Sequence, residues 1–190
     1  MKDNHTIPFT RRQQIQDMAV TGLMTAVLCI AAPFSIPIPV SPVPISLTNF
    51  IIFIAIYVLG IKNGTLSVLI YLILGAAGLP VFSAFSGGPG KLAGPTGGYL
   101  IGFLFLALIQ GLFLKSFPER KAAPVIGMIL GMAVCYAFGT AWLAWQMNQG
   151  FAAALGIGVL PYLPGDAVKI IAAAASGPKL KAAVIKAKKQ

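Results

Sequence analysis

Asp166 and Lys169 carry the only charges between Lys121 and Lys179, and they stand three residues apart in an otherwise apolar stretch. The stretch runs Pro161-Tyr-Leu-Pro-Gly-Asp-Ala-Val-Lys-Ile-Ile and continues through alanines to Gly177. On a helix, residues at i and i+3 share a face, so this spacing predicts a carboxylate and an ammonium side by side. Each ionised side chain at a bilayer centre costs roughly 2.5–3.5 kcal/mol on insertion scales. Two of opposite sign on one face are either a structural ion pair that fixes helix packing or a substrate site. Intramembrane ionisable residues default to function, which favours the site.

The element carrying the pair should begin near Pro161. Asp166 would then lie roughly 7–8 Å along the axis and Lys169 roughly 12 Å, at about 1.5 Å per residue. Pro164 and Gly165 suit a helix start or a broken first turn, where the helix dipole stabilises a carboxylate. Both groups would occupy the outer half of a membrane, within reach of external loops. A matching ligand offers donors to Asp166, an anion or carbonyl to Lys169, and an apolar body to surrounding aromatics. That describes a small amphipathic solute, one that could carry a carboxylate.

Composition sets the class. Of 190 residues, 57% are hydrophobic and 9% charged, far below the roughly 25% charge of soluble domains. No charge occurs in 18–61 or in 63–90. We therefore expect an all-α integral membrane protein forming a six-transmembrane-helix bundle. The spans, at about 20 residues each, are expected near 17–33, 46–61, 64–78, 97–115, 122–147 and 161–176. A domain of 17–177 would lie between an N-terminal tail, 1–16, and a basic C-terminal tail, 178–190, both cytoplasmic.

Charge placement orients the bundle. With the N-terminus inside, Lys2, Arg11, Arg12, Lys62, Lys115, Arg120, Lys121, Lys179, Lys181, Lys186, Lys188 and Lys189 all face the cytoplasm. Only Lys91 faces out, and Lys169 lies within a span. The net charge of +10 therefore follows the positive-inside rule, and its clustering at ends and turns argues against nucleic acid.

The connections differ in character. Phe34–Pro44 carries Pro37, Pro39, Pro42 and Pro44 and reads as stiff extended backbone. The glycine-rich connection 79–98 holds Ser86, Gly87, Gly88, Lys91 and Thr96 with Phe82, Phe85 and Leu92, poor choices for a solvated linker. It is either a flexible surface loop or a binding loop, and long loops in compact folds favour the second. The uncharged segment 150–160 should rest at the interface. Trp142 and Trp145 fit an interfacial belt, or one of them lines a pocket. Gly22-x-x-x-Ala26, Gly98-x-x-x-Gly102 and Gly127-x-x-x-Gly131 are close-packing faces, within the chain or toward a partner.

Several chemistries are missing. There is no phosphate-cradling Gly-x-x-x-x-Gly-Lys-Ser/Thr and no cluster of metal ligands, so neither a metal nor another cofactor is expected. His5, the single histidine, lies in the N-terminal tail, and only four acidic residues exist in all. Cys29 and Cys135 lie in apolar runs and read as buried thiols. The chain reads as a binder or conduit, not a catalyst.

Four motifs, in order, carry a resemblance: Ile38-Pro-Val-Ser-Pro-Val-Pro-Ile-Ser-Leu-Thr48, Gly75-Ala-Ala-Gly-Leu-Pro-Val-Phe82, Gly94-Pro-Thr-Gly-Gly-Tyr-Leu-Ile-Gly-Phe103 and Leu163-Pro-Gly-Asp-Ala-Val-Lys169. Together they make the chain resemble the BioY family, the biotin-binding S components of energy-coupling-factor (ECF) transporters. The resemblance covers about 17–177. It implies biotin captured at the outer face of a bacterial plasma membrane, with ATP hydrolysis left to a transmembrane coupling subunit and two ABC-type ATPases. Asp166 and Lys169 match the family's acidic and basic pair, and the loop with Gly94–Tyr99 would wrap the ligand. Asn49 stands where the family often has Gln. Lys91 is the only cation in the loop where members often carry Arg, and would hold a carboxylate without a bidentate fork. Gly22 and Ala26 resemble the small-residue face by which S components dock their partner. A self-sufficient transporter or facilitator for biotin, or for a similar amphipathic carboxylate, is the alternative.

Overall fold

The computed structural model describes residues 11–120 and 122–188. Lys2, His5, Lys121 and Lys189, and the first ten residues of the expected N-terminal tail, lie outside them. Helix α1 spans Arg11–Ala31 and starts six residues before the expected 17. It buries only Thr21, Thr25 and Leu28. The two threonine hydroxyls bond back to Asp17 O at 2.7 Å and Thr21 O at 2.9 Å, which keeps them satisfied in apolar surroundings. Thr25 Oγ1 also reaches Ser67 Oγ at 3.0 Å and ties α1 to its neighbour.

The proline-rich connection is extended, as expected, but it also pairs with itself. Strands β1, Ser35–Ile38, and β2, Ser41–Ser46, form an antiparallel two-stranded ribbon with Ser35 opposite Ser46 and Ile36 opposite Ile45. A ribbon this narrow consists of edges only, so prolines lacking an N–H can face outward without breaking an interior ladder. The bundle itself is helical, as expected, and among the described residues this β-hairpin is added to it.

Helix α2, Thr48–Ala76, folds back on itself. At Gly60 the backbone takes φ 74° and ψ −176°, a conformation open essentially to glycine. Thr48 and Tyr71 line one cavity, although on a straight helix they would stand about 34 Å apart. Beyond the break, Gly64 lies against Ile56, whose Cδ1 is 2.6 Å from where a Cβ would sit.

A 3-10 turn at Ser83–Phe85 and the short α3, Pro89–Ala93, lead to α4, Gly97–Ser116, and α5, Ala123–Gln146. Here the small-residue motifs serve internal packing. Gly98 and Gly102 meet Trp142 and Cys135, and Gly127 and Gly131 meet Gln110 and Leu106. Gln110 Nε2 donates to Phe53 O at 3.1 Å, so a buried amide bridges α4 to α2.

The segment 150–160 contains a short helix, α6, Phe151–Gly158. A 3-10 turn, Leu160–Tyr162, then opens α7, Leu163–Lys188. Helix α7 runs through Pro178, so residues 178–188, expected as tail, extend the helix. Lys188 Nζ meets Asp17 Oδ1 at 2.5 Å, joining the end of α7 to the start of α1.

Leu66, Leu69, Leu108, Leu112, Ile129, Val134 and Phe138 are exposed, while Ser67, Gln110, Thr140 and Asp166 are buried. Apolar outside and polar inside is the pattern of a bundle solvated by lipid. Among the described residues, five helical segments are long and apolar enough to cross a membrane, α2 being counted once.

Candidate functional site

Two helix starts face each other. Asn49 lies in the first turn of α2 and Asp166 in the first turn of α7, both buried, so the positive ends of two helix dipoles bear on one carboxylate. Asn49 Nδ2 donates to Asp166 Oδ1 at 2.7 Å. Lys169 Nζ donates to the same oxygen at 2.7 Å, to Asn49 Oδ1 at 3.1 Å and to Ser46 O at 2.7 Å. All three ammonium hydrogens are thereby used. With its nitrogen toward the carboxylate and its oxygen toward the ammonium, the Asn49 amide has one workable orientation. The second carboxylate oxygen accepts from Tyr136 OH on α5. Asp166 and Lys169 side chains are only 8% and 14% exposed, and every strong polar atom in the group is partnered.

The cavity over this group is closed by the hairpin. Val43, Pro44 and Ser46 form one wall, and Phe103, Met132, Cys135, Tyr136 and Tyr162 supply an apolar and aromatic remainder. Tyr162 OH donates to Val43 O and holds the hairpin to the start of α7. Tyr99 stands between Gly158 and Gly139, where a Cβ would fall 2.3 Å and 2.2 Å from its atoms, and its hydroxyl pairs with Thr140 Oγ1 at 3.2 Å. A second chamber adjoins the first and shares Val43, Pro44, Ser46, Tyr99 and Phe103 with it. Thr48, Tyr71, Ser83, Thr96 and Leu100 complete its wall.

Of the residues singled out in the sequence, Asp166, Lys169, Asn49 and Tyr99 therefore meet at one cavity, and Thr96 lines the chamber beside it. Ser86, Gly87, Gly88 and Lys91 line neither. Ser86 and Gly88 shape the loop: Ser86 O accepts from Phe82 N at 2.9 Å, and Gly88 N donates to Gly75 O at 2.7 Å. Gly87 passes so close to the backbone that a Cβ would sit 2.3 Å from Leu79 O. Lys91 is half-buried on α3, and that burial pushes its ammonium pKa down. Phe82 is fully buried in the core, whereas Phe85 is exposed. The loop is tied to α5 by Trp142 Nε1, which donates to Gly94 O at 2.9 Å, so Trp142 is a loop anchor and Trp145 stays exposed.

Gly22 and Ala26 lie on the outward face of α1, and a Cβ on Gly22 would meet nothing within 4 Å. Unlike the other two small-residue motifs, this one has no use inside the chain.

Sequence reasoning missed Tyr136, Tyr162 and Ser46. A tyrosine inside an apolar run carries a weak signal, and Ser46 acts through its backbone carbonyl, which no side-chain pattern reveals.

The model of the BioY family matches residues 3–186. The biotin transporter BioY of Thermotoga maritima is 38% identical over 167 residues, covering 88% of this chain and 96% of that protein. The biotin transporter BioY of Rhizobium etli is 34% identical over 172 residues, covering 85% and 91%. Among solved structures, the S component for biotin from an ECF-type ABC transporter superposes with a TM-score of 0.85 at 34% identity, covering 91% of this chain and 94% of that one.

Proposed function

The chain belongs to the BioY family, and we propose that it captures biotin from outside the cell for ATP-driven uptake by an ECF-type transporter. It is a multi-pass cell-membrane protein and a transport subunit, not an enzyme. Energy comes from its partners, a transmembrane coupling subunit and two ABC-type ATPases.

The observation that carries this reading is the cavity-lining group of Asp166, Asn49 and Lys169. Biotin's ureido ring presents two N–H donors flanking one carbonyl. Asp166 supplies an acceptor for the donors, and the Lys169 ammonium, on exchanging its bond to Ser46 O, supplies a charged donor for the carbonyl. Asn49 offers both functions from one amide. Hydrogen bonds to charged groups contribute roughly 1.5–3 kcal/mol each, enough to orient a small solute. Tyr136, Phe103 and Met132 receive the sulfur-containing ring.

We further propose six membrane crossings, with α2 counted as two arms reversing at Gly60, and both termini cytoplasmic. Support comes from Lys62 at the reversal, Lys115 in the last turn of α4 and Arg120 just after it, and the Asp17–Lys188 pair, which sets the start of α1 beside the end of α7. Ile61 packs on Gly111, so the reversal and the end of α4 occupy one end of the bundle. On this reading 17–177 is the substrate-binding membrane domain.

Titrating the purified chain with biotin in the absence of ATP tests capture, and saturable binding is expected. Liposomes holding only this chain should not accumulate biotin, whereas those holding the complete complex and internal ATP should. Uptake by the chain alone would support the facilitator alternative.

A further inference from the structure

Away from the two chambers, a groove of about 670 Å³ runs between the hairpin and the 3-10 turn Ser83–Phe85. Its volume falls within the roughly 300–1,000 Å³ typical of small-molecule sites. Phe34, Ile36, Ile45, Leu47 and Phe85 form its walls, and all five are exposed. The polar side chains of the lining are those of Ser35 and Ser46, and both are engaged. Ser35 Oγ accepts from Ala84 N at 2.9 Å, and Ser46 Oγ pairs with Thr48 Oγ1 at 2.9 Å. The whole lining falls in 18–61 and 63–90, which hold no charge. A polar solute seated here would leave its donors and acceptors unpaired. The groove suits hydrocarbon.

The turn that forms one wall is strained. Ala84 and Phe85 take φ 58° and 52°, in the left-handed region that residues other than glycine rarely adopt. Ala84 N donates to Pro33 O at 3.0 Å as well as to Ser35 Oγ, which fixes the turn to the start of the hairpin. Phe85 is thereby set edge-on to Phe34 at 5.2 Å and stays on the surface, while Phe82 three residues earlier is fully buried. Strain that holds a phenylalanine outside the core points to a use for the exposed ring.

The lipid-facing surface leads into this groove. Leu23 and Ile30 are exposed and stand seven residues apart, on one face of α1, and Phe34 follows four residues on. At the other side Leu47 directly precedes α2. Exposed Ile36 and Val40 carry the same apolar character out along the hairpin. An apolar surface of this extent marks contact with a membrane or a partner, and its continuity with the helix faces that lipid solvates selects the membrane.

We infer that an acyl chain of a membrane phospholipid lies in this groove, along the side of the hairpin that faces away from the site. Ser46 lines the groove and also the cavity, where its carbonyl holds Lys169. The hairpin is therefore packed on both sides, by site residues within and by lipid without. The bilayer supplies a layer that the fold itself omits. This lipid seat is independent of which solute fills the cavity.

Photolabelling of the wild-type full-length chain tests it. The protein is reconstituted in phosphatidylcholine bilayers doped with phosphatidylcholine that carries a diazirine part-way along one acyl chain, then irradiated and digested for peptide mapping. Adducts are expected on residues 34–47 and on Ala84 and Phe85, alongside those on lipid-facing residues of α5 such as Phe138. Adducts on α5 with none in the hairpin and turn overturn the inference and leave the groove to water or to protein. Filling the groove with Ile36→Phe and Ile45→Phe together should lower the hairpin and turn adducts about fivefold relative to those on α5. Adducts that persist at the wild-type ratio mean that the hairpin dips into the bilayer with no chain seated, which also overturns it. Labelling of α5 controls for folding of the variant, and the wild-type arm decides without it.

Discussion

Asn49 and Asp166 stand 117 residues apart in sequence and meet through an Nδ2 to Oδ1 hydrogen bond of 2.7 Å. Lys169 bonds to both, so the three side chains form a closed ring of charge and amide. The amide has a fixed orientation because each of its ends faces the partner that needs it. Such an arrangement presents a preformed template to a ligand with alternating donors and acceptors.

Breaking that ring should abolish capture. Asp166→Asn or Lys169→Met leaves one charge unpaired in a low-dielectric pocket, a loss of roughly 3–5 kcal/mol. Biotin affinity should fall by about two to three decades or more in each variant. Asn49→Ala removes neutral donors and acceptors and should cost about 1–3 kcal/mol, a smaller loss. Calorimetric titration of the three proteins checks the order. Unchanged affinity in both charge variants would reduce the pair to helix packing.

The pair was legible in the sequence because charge inside an apolar run is rare and costly. The break in α2 at Gly60 falls between the second and third expected spans, beside the Lys62 that interrupts two uncharged runs, although no sequence signal singled out Gly60 itself. Tyr136 was hidden: its hydroxyl reaches Asp166, yet in sequence it stands among Cys135, Ala137 and Phe138 like any lipid-facing aromatic. The hairpin was hidden for a different reason. Proline at Pro37, Pro42 and Pro44 predicts extended backbone, but it also argues against a ladder, and a two-stranded ribbon escapes that objection. Residues 178–188 looked like a solvated tail since four closely spaced lysines interrupt their apolar residues. The Asp17–Lys188 contact that accompanies their helix is a tertiary fact.

The glycine-rich loop should govern how fast ligand leaves. Trp142 Nε1 holds Gly94 O, and Gln146 Nε2 holds Ala93 O, so α5 fastens the loop that contributes Ser83 and Thr96 to the second chamber. Trp142→Phe keeps an aromatic ring against Gly98 and deletes the donor. A hydrogen bond of this kind contributes about 0.5–1.5 kcal/mol, so biotin dissociation should speed up about two- to tenfold with association little changed. Stopped-flow displacement measures both rates. Equal dissociation from the variant and the wild type would make the loop a passive connector.

The outward face of α1 should dock the energising subunit. Met18, Gly22 and Ala26 follow one another at i, i+4 spacing, all three are exposed, and the site of a Gly22 Cβ is open space. The inward face of the same helix is already committed through Thr21, Thr25 and Leu28. A partner helix can therefore approach the α1 backbone closely, which is how small residues promote association in lipid. Gly22→Leu or Ala26→Trp places bulk on that face without entering the bundle. Co-purification with the coupling subunit and ATP-driven uptake should both fall about tenfold or more, a loss of roughly 1.4 kcal/mol or more in association. Biotin binding by the isolated variant should stay within about twofold of wild type, since surface changes away from packed groups move stability by about 0.5 kcal/mol. Loss of binding together with assembly would mean that α1 rotates inward in the working protein. Retention of both would leave the face to lipid. Only the split result describes a subunit that captures its vitamin alone and depends on another protein to move it.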